Sequence, residues 1–171
     1  KIKDFRAKEL EAKAKKVKDA QEKRRLKKVA KALAPLAKQE ELAKTEYQNG
    51  LKRDGEGLYG SADTSYLKSI KVKEEMLEMI RNIAANKKNS FLNADDLKGL
   101  SDKIKIIKKD IVKIYLNLAY MHAFHNNVTN ARKYLYKVLE LDQDNRSALE
   151  LRHEITIRRL PITYYAPPKV R

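Results

Sequence analysis

The sequence predicts an all-α protein, a small domain of helical hairpins approached by a long basic N-terminal helix. Three observations carry that expectation. Glycine and proline number only 5 and 4 in 171 residues, so few points interrupt a helix. The bulk is Ala, Lys, Leu, Ile and Glu, which favour helix over strand. From Leu97 to Met121 the apolar residues alternate steps of three and four without a miss, the spacing of a packed helix. A chain of this length buries about 70% of its unfolded surface on folding, enough for a core without staples. Cysteine is absent, which excludes disulfides and thiolate metal sites.

The formal charge of +16 is unevenly spread. Residues 1–44 hold 16 Lys/Arg against 7 Asp/Glu, so this first quarter of the chain carries +9 of the total. Such a field draws an acidic partner: RNA, an anionic membrane surface or an acidic protein. No apolar stretch approaches the roughly 18 residues of a membrane span, and no signal-peptide pattern opens the chain. It begins at Lys1, which leaves room for a targeting segment removed upstream, and the compartment stays open.

Taken in order, residues 1–48 read as a basic helical extension. Ala7, Leu10, Ala14 and Val17 keep a helical spacing. It lapses through Gln21, Arg24 and Lys28, then restarts in another phase at Leu26, Val29, Leu33 and Leu36. A stripe that shifts in this way cannot seat one continuous core face, so the helix is expected to be largely exposed and kinked or restarted at Pro35. Residues 49–65, NGLKRDGEGLYGSADTS, hold four of the five glycines and read as a linker or hinge. A helical domain is expected over 66–160. Its first helix, capped by Asp63 or Ser65, turns Tyr66, Ile70, Leu77, Ile80 and Ala84 inward, with Met76, Met79 and Ile83 widening the face. Asn93 followed by Asp96 is an N-cap signal.

The next helix is the spine. Its seam is Leu97, Leu100, Ile104, Ile107, Ile111, Ile114, Leu118 and Met121, and Ile106, Tyr115, Leu116 and Ala119 cover a flank. Asn126–Thr129 forms a turn, with Thr129 as cap of a helix to Leu141 that buries Ala131, Leu135, Val138 and Leu139. A last helix starts near Ser147, carries Leu149, Ile155 and Leu160, and stops at Pro161. Residues 161–171, PITYYAPPKVR, read as an extended tail.

Residues 112–145 resemble one unit of the tetratricopeptide repeat, a helical hairpin with a period of 34 residues. Tyr115 stands at the family's large aromatic, Leu118 and Ala119 at its Leu–Gly/Ala pair, and Ala131 at the small residue of its second helix. Asn126 takes the turn where the family prefers Gly, and YLYKVLELDQDN resembles the ending, with Gln143 in place of proline. His122, Leu135 and Val138 depart from the family's Tyr, aromatic and second Ala. The helix after Asn145 resembles the one that caps an array. The resemblance implies a protein-binding face of Lys113, Leu116, Asn117, Tyr120 and Phe124, with Lys113 and Asn117 similar to part of a clamp for a peptide carboxylate.

Nothing in the sequence points to catalysis. His122 and His125 are spaced i,i+3, but no carboxylate or thiol accompanies them or His153 in a ligand pattern. His122 is expected as a packed core residue and His125 as a helix-end residue. Phosphate loops, nucleophile elbows and H-E-x-x-H are missing. No catalytic residue, cofactor, metal or small-molecule substrate is expected.

The leading expectation is therefore a non-enzymatic scaffold or adaptor, binding other proteins within a larger assembly. The alternative is a basic subunit of a ribonucleoprotein such as a ribosome. There Lys13, Lys15, Lys16, Lys18, Lys23, Arg24, Arg25, Lys27 and Lys28 would touch phosphates without reading sequence, although Glu9, Glu11, Asp19 and Glu22 interrupt the run. A third reading rests the same helix superficially on an anionic membrane.

Overall fold

The computed structural model describes residues 2–157, with side chains from Glu11 onward except at Ala12 and Lys87. The described chain is all-α. It comprises α1 (Ile2–Gly55), α2 (Tyr59–Ala85), α3 (Ala94–Phe124), α4 (Val128–Leu141) and α5 (Arg146–Thr156), with one 3-10 turn at Lys87–Asn89. The tail expected at 161–171, and Leu160 before it, lie outside the described residues.

α1 passes through Pro35 without ending. A proline inside a helix costs about 3 kcal/mol, and burial on α2 offsets it. Val29, Leu36, Ala43 and Gly50 are all buried. Their seven-residue spacing puts them on one line, as in a coiled-coil seam. Side-chain size falls from Leu36 to Gly50, so the two helices can close together towards their turn. At Ala43 the approach lets Ser69 Oγ donate to the Ala43 carbonyl at 2.7 Å. At Gly50 a Cβ atom would lie 2.6 Å from Cδ1 of the Tyr66 ring.

The linker expected over 49–65 is helical except at 56–58. Its glycines have different uses. Gly50 is there for close packing, whereas Gly57 adopts φ +76°. The Leu58 amide donates to the Arg53 carbonyl at 2.8 Å and that of Gly57 to Asp54 at 3.0 Å. This is the paired bonding of a Schellman ending. α2 then begins at Tyr59 after Leu58, with no side-chain cap. Asp63 and Ser65, expected as caps, sit inside α2 and face its neighbours.

The capping box at α3 is formed in full. Asn93 Oδ1 accepts from the Asp96 amide at 2.8 Å, and Asp96 Oδ2 accepts from the Asn93 amide at 3.0 Å. The α3 seam is buried from Leu100 to Met121, with Ile104 half-buried, but one expected seam member and one expected flank residue are not. Leu97 is 42% exposed in the first turn, and Ile106 is 62% exposed on the outer face. Ala84 of α2 is likewise exposed. α3 ends as α1 does, with Asn126 at φ 57°. The Asn127 amide donates to the His122 carbonyl at 2.8 Å and that of Asn126 to Ala123 at 3.0 Å. Asn127 rather than Thr129 caps α4, accepting from the Asn130 amide at 3.2 Å. Ala119 and Ala131, both fully buried, let α4 lie close on α3.

Two antiparallel hairpins, α1–α2 and α3–α4, therefore stack in chain order, and α5 closes the far side. One core runs through them from Leu36 and Tyr66 to Leu151 and Ile155.

Candidate functional site

The face expected to meet a partner is divided by the structure. Lys113 is exposed, and Leu116, Tyr120 and Phe124 are half-buried. Asn117 is 0% exposed. Its Nδ2 donates to Tyr47 Oη at 3.0 Å, so α1 covers it and it cannot reach a ligand as placed. Burial is the main cause that raises the Tyr47 phenol above its ordinary value, and the Asn117 hydrogen bond opposes it. On the other side Tyr120 Oη donates to the Ser147 carbonyl of α5 at 3.5 Å. Burial raises its phenol too, with Glu154 and Glu150 adding to the effect. Lys113, Leu116, Tyr120 and Phe124 thus form a strip on α3 bounded by α1 and α5.

Between α2 and the end of α3 lies a cleft of about 440 Å³ lined by Tyr59, Gly60, Asp63, Met121, His122, His125 and Asn127. Asp63 Oδ1 accepts from His122 Nε2 at 2.9 Å and from Tyr134 Oη at 3.3 Å. The His122 ring also stacks on Tyr134, centroid to centroid 5.4 Å. Burial, followed by the Asp63 charge, pushes the Tyr134 phenol up to about 12. This cluster ties α2, α3 and α4 together. His122 is mostly buried within it, as expected, while His125 caps α3 and rests against Tyr59. His153 is exposed on α5. Among the described residues no three His, Cys, Asp or Glu side chains gather as a metal site would need. No helix among them is long and apolar enough to cross a membrane.

The basic run lies on α1. Every described side chain from Glu11 to Arg24 is exposed, and Val29 is the first buried one. α2 is 27 residues long against the 54 of α1, so the start of α1 projects past the hairpin. Of the nine cations expected to meet a polyanion, Arg25 is engaged elsewhere. It pairs with Glu22 and with Asp96, and bonds to the Phe91 carbonyl at 3.4 Å. These contacts join α1 to the start of α3. The other eight are exposed.

The structure exposes a correspondence that the linear reading missed. Aligning the two Schellman endings, Gly57 on Asn126, sets the hairpins 69 residues apart. Gly50 then falls on Ala119, Ala62 on Ala131, Tyr66 on Leu135 and Ser69 on Val138, and all eight are buried. Contacts between the hairpins keep nearly that register. Tyr47 meets Asn117 and Asp63 meets Tyr134, at separations of 70 and 71 residues. The signal available in sequence was the spacing of Gly50, Ala62, Tyr66 and Ser69, obscured by the glycines that read as a linker.

No protein-family model matches the chain, and comparisons with curated proteins and with solved structures return no match.

Proposed function

We propose that this chain is a non-enzymatic helical scaffold built from two tetratricopeptide-like hairpins and a closing helix, which binds protein through the α3 strip and extends a basic arm towards a second partner. The observation that carries the reading is the duplication. The family pattern places a small residue in the first helix, another twelve positions on, and an aromatic four beyond that. Gly50, Ala62 and Tyr66 keep that spacing, as do Ala119, Ala131 and, with Leu in the aromatic's place, Leu135. Two hairpins stacked at a 69-residue offset, about twice the family's period, with a closing helix support an array of lengthened units rather than an isolated bundle.

The same register puts Lys44 and Gln48 of α1 where α3 has Lys113 and Asn117, and both are exposed. They supply the neighbouring-repeat donors that a peptide clamp needs and that Asn117, turned against Tyr47, does not. The ligand class is then a peptide carboxylate held by Lys44, Gln48 and Lys113 beside Leu116, Tyr120 and Phe124. Affinity purification of the full chain from its native source, followed by mass spectrometry, tests this. A protein partner at stoichiometric amounts, lost with a Lys44→Glu/Lys113→Glu double variant that keeps its helical circular dichroism, is expected. Equal recovery with the double variant would overturn the assignment of this face.

A further inference from the structure

Read linearly, the basic run of α1 is broken by acids. On a helix it is not. At about 100° per residue, Lys16, Lys23, Lys27, Lys31 and Lys38 fall within about 40° of a single line. That line is diametrically opposite the one through Val29, Leu36 and Ala43. Glu11 and Glu22 project on the core-facing side, Asp19 on a flank, and the next acid on the outer line is Glu41, beyond its end. All five lysines are exposed, and none lies in an ion pair within the described residues. Between them the line carries only Ala20 and Ala34, also exposed. Because α1 is continuous through Pro35, the five charges belong to one helix. At 1.5 Å per residue they span about 33 Å.

We infer that this line is a docking track for the phosphate backbone of a double-stranded nucleic acid. The inference names the second partner of the scaffold reading above and rests on it only for the arm's role. Three physical points select this occupant. Exposed ion pairs with a folded acidic protein contribute about 0–1 kcal/mol each, and stable protein interfaces add aromatic or aliphatic anchors, which the line lacks. A membrane would likewise need apolar side chains to enter it, and nothing larger than alanine lies between the lysines. A duplex, by contrast, binds a bare row of cations through release of its condensed counterions. A single strand is disfavoured because no aromatic side chain lies on the line to stack its bases. The contact would position without reading sequence.

The test uses the purified full chain and 24-base-pair duplexes of arbitrary sequence, one of DNA and one of RNA, with binding followed by anisotropy from 50 to 300 mM salt. The chain is compared with a variant carrying Lys→Gln at the five line positions. A control carries Lys→Gln at Lys68, Lys71, Lys98, Lys108 and Lys109, which are exposed on α2 and α3. The line variant is expected to flatten the slope of log K against log salt by about 4.5 for DNA, 0.9 for each contact. The control, equal in charge, should flatten it by less than about 1. Whichever duplex binds more tightly identifies the physiological source. Equal loss in the two variants, or no binding at 50 mM salt, overturns the proposal. So does binding to polyglutamate or to vesicles with 30% phosphatidylserine that matches the duplexes. Because no protein partner is present, failure here leaves the α3 strip untouched, and failure of the strip leaves this slope unchanged.

Discussion

Gly50→Ala is expected to destabilise the protein even though it replaces glycine by the best helix former inside a helix. On propensity alone the change stabilises by about 0.5–1 kcal/mol. Packing opposes it. The new Cβ would stand 2.6 and 2.7 Å from Cδ1 and Cε1 of Tyr66 and 3.1 Å from Cγ. These are the near atoms of a ring, not the tip of a flexible chain, and the ring has nowhere to go. Tyr66 is 0% exposed, its hydroxyl donates to Asp54 Oδ2 at 3.3 Å, and its face meets Tyr47 at a centroid distance of 5.8 Å. Overpacking of this kind costs about 1–3 kcal/mol. Larger displacements fall at the upper end, so the net loss is about 1–2 kcal/mol. In a chain of this size that lowers Tm by about 2–8 °C. Gly99→Ala is the matched control. It lies inside α3, a Cβ there meets nothing within 4 Å, and Tm should rise by about 1–4 °C. Thermal melts followed by circular dichroism at 222 nm read both. A second cycle with Tyr66→Leu should relieve most of the Gly50→Ala penalty, because the clash is with the ring. A rise in Tm for both glycine variants would refute the close crossing of α1 and α2, and with it the role of Gly50 as a packing residue.

Three further outcomes are expected. Ala131→Leu forces a large side chain between α3 and α4 at a fully buried position, and urea titration should show a loss of about 1–3 kcal/mol. Asn117→Ala should cost about 1–3 kcal/mol by removing a fully buried side chain and the donor to the half-buried Tyr47 hydroxyl, whereas Lys113→Ala on the exposed strip should change stability by less than about 0.5 kcal/mol. The Asp96 carboxyl is held below its ordinary range, first by the Asn93 amide and then, against burial, by Arg25. A carboxylate depressed in this way stabilises the fold above its unfolded value near 3.9, and that stability is lost as pH falls through the lower folded value. Asp96→Asn should therefore flatten the acid limb of a Tm-against-pH curve and leave its shape above about pH 6 unchanged.

What could be read from the sequence was local. The α3 seam from Leu100 to Met121 and the Asn93 cap depend on residues within one or two turns of each other, and both are found as the spacing implied. Three misreadings share a cause, which is a partner far along the chain. Asn117 looked like a ligand-binding residue because Tyr47, which covers it, is 70 residues away. Arg25 looked like one more exposed cation because Asp96 is 71 residues away. Gly50 looked like a hinge because glycine serves both positive φ and close approach, and only the placed Tyr66 ring distinguishes the two. Ile106 and Leu97 were counted inward because periodicity gives a face but not its width.

The basic arm and the first helix of the first hairpin are one element, α1. Four of the five lysines precede Pro35, and the continuation of α1 through Pro35 adds Lys38 to their line. On one continuous helix angular position becomes meaningful: Glu11 and Glu22 lie more than a third of a turn from the lysine line, while Asp19 lies on its flank, about 80° away. The same continuity ties the arm to the first hairpin through Leu36, Ala43 and Gly50, with no flexible joint between. A ligand seated on the outer line would therefore fix its orientation relative to the α3 strip, and the two surfaces would act as one ruler. Inserting two residues after Lys31 rotates the first four line positions by about 200° against the hairpin while keeping every charge. The purified chain should still bind duplex, with the salt slope reduced only by about 0.9 for Lys38, because Lys16, Lys23, Lys27 and Lys31 keep their mutual spacing. Assembly that needs both surfaces at once should fail, and intact assembly with the insertion would show the arm to be an independent tether.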